Sequence, residues 1–185
     1  MRRIVAGLHV SLDGVVETPD QWVGPYMNNE LGQAIGAMIG ASDTLLMGRV
    51  GYEGFAGYWA EKTSDVPFAD FMNNTPKCVV STSLDTVEWK NSTLIKDDVV
   101  KAITRLKEEP GENIGITGSA TLIRSLLRDK LLDELNLLVY PIVVGSGKRL
   151  FEDGGDRTCL SLVASKSFST GVAMLTYEPA DRPDA

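Results

Sequence analysis

The sequence predicts an α/β domain with a mixed, mostly parallel sheet that closes in a C-terminal β-hairpin. Three observations carry this expectation. The interior strand candidates are short, continuous apolar runs, the pattern of a parallel sheet covered on both faces. Segments with apolar residues at helical spacing lie between them. The last two strand candidates are joined by Ser169-Thr170-Gly171, a hairpin signal at one edge.

Each element follows from its local pattern. Arg3–Val10 reads as the first strand, because its apolar part is short, alternates and lacks a signal-peptide cleavage pattern. Asn28–Ile39 is expected to be helical, with Leu31, Ala34, Ile35, Met38 and Ile39 at helical spacing. Thr44–Met47 is a strand that stops at Gly48-Arg49, where a short helical segment with an acid at Glu53 begins. Val66–Asn73 is a further helix candidate, followed by a strand at Lys77–Ser81. Asp97–Glu108 opens on two acids, keeps Val100, Ile103 and Leu106 near one face, and stops before Pro110-Gly111. Ile114–Thr117 is a strand and Ala120–Arg128 a helix carrying Leu122, Ile123, Leu126 and Leu127. Glu134–Tyr140, Leu160–Phe168 and Val172–Tyr177 complete the strands. One domain is expected over residues 1–178, with a disordered tail at 179–185.

Composition narrows the function. A chain of 185 residues should bury roughly 70% of its unfolded surface, enough for a core without staples. The net charge of −7 argues against a nucleic-acid binder, although a small basic patch in a cleft is compatible with it. No apolar run reaches the roughly 20 residues of a membrane span, so no membrane partner is expected. Cys78 and Cys159 read as buried thiols of a cytoplasmic protein. One histidine and two distant cysteines cannot build a structural zinc site, and no metal is expected. His9 itself reads as a packed or edge residue of the first strand.

Five stretches could carry chemistry. Ser11-Leu12-Asp13-Gly14 is a standard strand exit, and the same turn would place Asp13 over a site. At Gly48-Arg49 a strand turns into a helix, leaving backbone N–H groups free for an anion beside a guanidinium suited to phosphate. Ser81-Thr82-Ser83 follows a strand, where hydroxyls either cap a turn or meet a ligand at the carboxyl end of the sheet. Gly118-Ser119-Ala120-Thr121 repeats the strand–Gly–helix build, so a ligand with more than one phosphate is suggested. It matches neither GxGxxG nor a P-loop. Pro141 to Phe151 holds Gly145 and Gly147 before Lys148 and Arg149, a flexible loop or a place for an anionic substrate group.

SLDG, LLMGRVGYE, VVST, ITGSATLI, LDELNLLVYPIVVGSGKRLF and the final hairpin together resemble the dihydrofolate reductase-like superfamily, nearest the branch of the riboflavin-biosynthesis reductase domain. The resemblance runs from about Arg3 to Tyr177. It implies a three-layer αβα sandwich, binding of NADPH along the strand ends, a small-molecule substrate and a homodimer. It suggests Gly48 and Arg49 for the cofactor phosphates, and Ser81 and Thr82 near the adenosine 2′-phosphate. Gly118, Ser119, Ala120, Thr121 and Leu122 would line the pyrophosphate. Asp13 and Glu30 are the candidates to relay a proton through water. The chain departs from the family in having Gly118-Ser119 where Gly-Gly is common, a bond that is cis in dihydrofolate reductases. It also lacks the ligand set of the zinc deaminase domain that bifunctional relatives carry. The reading is hydride transfer to a pyrimidine- or pterin-like heterocycle. The alternatives are a dihydrofolate or other pteridine reductase, or a nucleotide-binding protein without turnover.

Overall fold

The computed structural model describes residues 1–155 and 157–181. Among these, the strands are β1 (Ile4–Ser11), β2 (Ser42–Gly48), β3 (Lys77–Val80), β4 (Ser92–Ile95), β5 (Asn113–Thr117), β6 (Glu134–Tyr140), β7 (Cys159–Ser167) and β8 (Ala173–Ala180). The helices are α1 (Asn29–Gly40), α2 (Arg49–Trp59), α3 (Ala69–Asn74), α4 (Val99–Glu108) and α5 (Ala120–Arg128). One sheet has the order β4-β3-β2-β5-β1-β6-β8-β7. The first six of these strands are mutually parallel, and β8 runs antiparallel between β6 and β7.

Alternation along the strands decides which helix covers which face. Ile4, Ala6, Leu8 and Val10 of β1, with Leu46, Ile114 and Ile116, pack on Ile103 of α4 and on Leu122, Ile123 and Leu126 of α5. The opposite face carries Leu138 and Tyr140 under α1, and Leu45, Met47 and Val79 under α2 and α3. Gly7 lets α1 come close, since a Cβ there would lie 2.5 Å from Met38 Cε.

Several boundaries differ from those the sequence suggests. β4 was not expected: STLI is polar at both Ser92 and Thr93, because it is an edge strand with β3 on one side only. α2 runs eleven residues to Trp59 despite three internal glycines, held by Tyr52, Phe55, Ala56 and Trp59 in the core beneath it. α3 starts at Ala69, after Phe68 takes a left-handed conformation. Asp97 and Asp98 precede α4 rather than opening it, with Asp98 at φ 46. β8 continues through Pro179 and Ala180, which pair with Leu160 and Cys159, so these two residues of the expected tail are ordered in the sheet. Arg182–Ala185 of that tail lie outside the described residues.

Candidate functional site

The carboxyl ends of the parallel strands bring the predicted motifs to one side of the sheet. Gly48, the last residue of β2, is in register with Val80, the last residue of β3. Arg49 and Ser81 therefore leave the sheet from adjacent strand ends. Gly48 also meets the β5–α5 junction, where its N–H donates to Ser119 Oγ at 3.0 Å. A Cβ at Gly48 would lie 2.5 Å from that oxygen, so glycine is required by close approach here rather than by its φ of −84. Gly118 and Ser119 both adopt positive φ, 75 and 63, and the peptide between them is trans.

This geometry revises the expected donors. The Gly48 N–H faces Ser119 rather than open space, while Ser119 Oγ, an acceptor in that bond, keeps its own proton to donate outward. Neither α2 nor α5 has a side-chain cap at its start, so the N–H groups of both first turns are available to an anion. Arg49 extends this positive end. Its Nη1 pairs with Glu53 at 2.9 Å, and both side chains are about half exposed. Ser81 Oγ accepts from the N–H groups of Ser83 and Leu84, so it caps the turn after β3, and Thr82 beside it is exposed. Ala120, Thr121 and Leu122 form the first turn of α5, with Leu122 buried in the core.

The two acids do not meet. Asp13 Oδ1 accepts from Ser11 Oγ at 2.6 Å and from Val144 N at 3.0 Å, and Oδ2 accepts from Gly145 N at 2.8 Å. These bonds, the Ser11 hydroxyl first, hold its carboxyl at about 2. Asp13 thus anchors the loop after β6 through both carboxylate oxygens. Glu30 faces Lys166 of β7 at 3.3 Å. Its carboxylate belongs to the β7 side of α1, away from the Gly48 and Gly118 junctions. Lys148 and Arg149 belong to the Asp13 loop region: Arg149 bridges to Val15, and Lys148 pairs with Glu17.

Sequence reasoning takes His9 as a packed or edge residue of the first strand. β5 leaves the ladder after Thr117, which pairs with Gly7, whereas β1 continues beside β6 until Ser11 pairs with Tyr140. Ile114 N–H to Arg3 C=O and Gly118 N–H to Gly7 C=O place the odd-numbered peptides of β1 toward β5. The next odd residue, His9, therefore presents its backbone to the space that β5 vacates. Its side chain lies on the α1 face, with Nδ1 2.8 Å from the Tyr140 hydroxyl. Tyr140 is fully buried, with Trp22 and Tyr26 edge-on to its ring. Burial lowers the His9 imidazole to about 4 and raises the Tyr140 phenol to about 12. Only the register of three strands reveals this, and no local signal in the sequence carries it.

Among the described residues, no cluster of His, Cys, Asp and Glu could hold a metal, and no helix is long and apolar enough to cross a membrane. A cavity of about 550 Å³ between Arg124 of α5 and Phe151 and Thr158 of the loop before β7 contains none of the predicted site residues.

The model of the RibD C-terminal domain family matches residues 2–174. The uncharacterized protein YyaP of Bacillus subtilis (strain 168) is 30% identical over 183 residues, covering 95% of this chain and 94% of its own. A crystal structure from Shewanella sp. PV-4, of a protein named for riboflavin biosynthesis, superposes with a TM-score of 0.77 at 22% identity, covering 97% and 99% of the two chains. Dihydrofolate reductase from Enterococcus faecalis, complexed with NADP(H), superposes with a TM-score of 0.64 at 16% identity, covering 97% of each chain. At these identities the two structures establish the dihydrofolate reductase-like fold alone.

Proposed function

This chain belongs to the RibD C-terminal domain family, and on that premise we propose that it is an NADPH-dependent reductase acting on a small nitrogen heterocycle of the pyrimidine or pterin type. The observation that carries the reading is the contact of two uncapped strand–Gly–helix junctions, Gly48–Arg49 and Gly118–Ser119, at the carboxyl end of the parallel sheet. The residues present fit a dinucleotide phosphate chain. Two helix N-termini and the Ser119 hydroxyl are donors without a competing carboxylate among them, apart from the exchangeable Glu53 partner of Arg49.

NADPH, when bound, supplies the hydride. The chain's part is to bind and orient. The first turns of α2 and α5 would hold the pyrophosphate, with Arg49 on the 2′-phosphate. The His9 peptide, facing the gap after β5, can pair with an amide-like group at the far end of the cofactor site. Asp13 keeps the loop over that end in place through Val144 and Gly145. The Glu30–Lys166 pair weighs against a dihydrofolate reductase-type acid on α1.

The test is titration followed by nicotinamide fluorescence, with 2′-phospho-ADP-ribose as competitor. Saturable NADPH binding, displaced by the fragment, is expected. Absence of saturation by about 1 mM, the top of the usual range of substrate constants, would remove the reading.

A further inference from the structure

His9 combines three features that no other residue of the candidate site shares. It is the one histidine of the chain. Its peptide faces the gap beyond β5, and its ring stands on the α1 face of the sheet. Only one of its ring nitrogens is engaged. Nδ1 meets Tyr140, whereas Nε2 has no hydrogen-bond partner among the described residues and is not sealed from solvent, since the buried unpaired side-chain atoms are Ser92 Oγ and Thr170 Oγ1. The imidazole is thus half-buried, with Nδ1 held by Tyr140 and Nε2 unpaired.

The protonation of that unpaired nitrogen follows from Tyr140. Its hydroxyl lies 2.8 Å from His9 Nδ1 and 3.9 Å from Met27 Sδ, and the imidazole nitrogen is the closer and stronger acceptor. A phenol donating to Nδ1 leaves the imidazole proton on Nε2. The unpaired ring nitrogen is then a neutral donor, and the low imidazole pKa of about 4 keeps it so near neutral pH.

We propose that His9 is a specificity-determining residue, whose Nε2–H donates to a ring carbonyl of the heterocycle that accepts the hydride, and that Tyr140 is its positioning residue. This rests on the reductase reading above, because an acceptor within reach of a cofactor docked on the His9 peptide must lie beside the His9 ring.

Because the chain has a single histidine, ¹⁵N-labelled imidazole gives one pair of nitrogen signals. The wild-type protein, with and without NADPH, should show the Nε2–H tautomer, and Tyr140→Phe should lose this preference; an Nδ1–H tautomer in the wild type overturns the assignment. The probes are 5-aminouracil and 7,8-dihydrobiopterin, each with a ring carbonyl, added to protein saturated with NADP⁺. At least one should bind by calorimetry, move the Nε2 signal, and weaken about tenfold or more in His9→Ala, with partial recovery in His9→Gln. Both variants should keep the circular dichroism spectrum and cooperative thermal transition of the wild type, which shows that they fold. A probe that binds with an unmoved Nε2 signal, or equally well to His9→Ala, overturns the proposal. So does failure of both probes to bind a protein that binds NADPH. If the wild type does not bind NADPH, the reductase reading itself has failed, and the same titration reports that separately.

Discussion

Arg49 holds its charge ready rather than committed. Its pair with Glu53 is a half-exposed i,i+4 contact, a class that contributes only about 0.3–0.5 kcal/mol. A phosphate making charge-assisted bonds contributes more, roughly 1.5–3 kcal/mol, and can displace the carboxylate. Arg49→Ala is expected to weaken NADPH about tenfold or more while NADH changes little, measured by fluorescence titration; equal losses would take Arg49 off the 2′-phosphate. His9 makes a second residue-scale prediction. The unfolded imidazole binds a proton near pH 6.5, whereas the folded one resists it until about pH 4. The unfolded state therefore holds more protons across that window, so stability falls as pH drops through it, by about 3 kcal/mol at most. Chemical denaturation from pH 7 to 4 should show this slope, and His9→Phe should flatten it. Asp13 acts in the same direction but at lower pH. Its lowered pKa of about 2 means that its loop contacts persist through this range and are lost only in stronger acid. Asp13→Ala should speed amide exchange at Val144 and Gly145 while leaving β1 and β6 protected.

At the scale of elements, the two strand–Gly–helix junctions act as one unit. Gly48→Ala would push a methyl into Ser119 Oγ, and overpacking of this kind costs about 1–3 kcal/mol. Ser119→Gly relieves both that contact and the left-handed backbone at φ 63, while it removes the hydroxyl from Gly48 N–H. Gly48→Ala is thus expected to lower thermal stability and NADPH affinity, and the double variant with Ser119→Gly to recover most of the stability. Additive losses would show that the junctions are not in contact. The elements whose faces are marked by hydrophobic spacing, such as Ala120–Arg128 and Glu134–Tyr140, were legible to the residue. β4 was not, because a short polar edge strand carries almost no periodic signal. The start of α4 was misplaced because Asp98 takes a left-handed turn that the acidic pair conceals.

Across the whole molecule, the proposed cofactor site joins the ends of strands that are distant in sequence, so ligand binding should stabilise the entire sheet. NADPH at a hundred times its dissociation constant adds about 2.7 kcal/mol, which in a chain of this size raises Tm by roughly 5–10 °C. NADH at the same concentration should raise it less. A flat melting curve with saturating NADPH would contradict binding to the native site. The homodimer suggested by family resemblance is a separate proposal, tested by sedimentation against the 20.0 kDa of one chain.

The sequence alone determined the α/β class, the C-terminal hairpin, the two glycine junctions and Arg49 between strand and helix. These depend on local periodicity and on backbone freedom, which neighbouring residues express directly. Only the tertiary structure decided how the candidate groups are partnered. It gave the Gly48 N–H to Ser119, made Asp13 a loop anchor, turned Glu30 toward Lys166, and set His9 against Tyr140 at the end of β1. The physical reason is register. Side-chain chemistry is written in the residues, but where β5 stops beside β1 depends on pairing between strands more than a hundred residues apart.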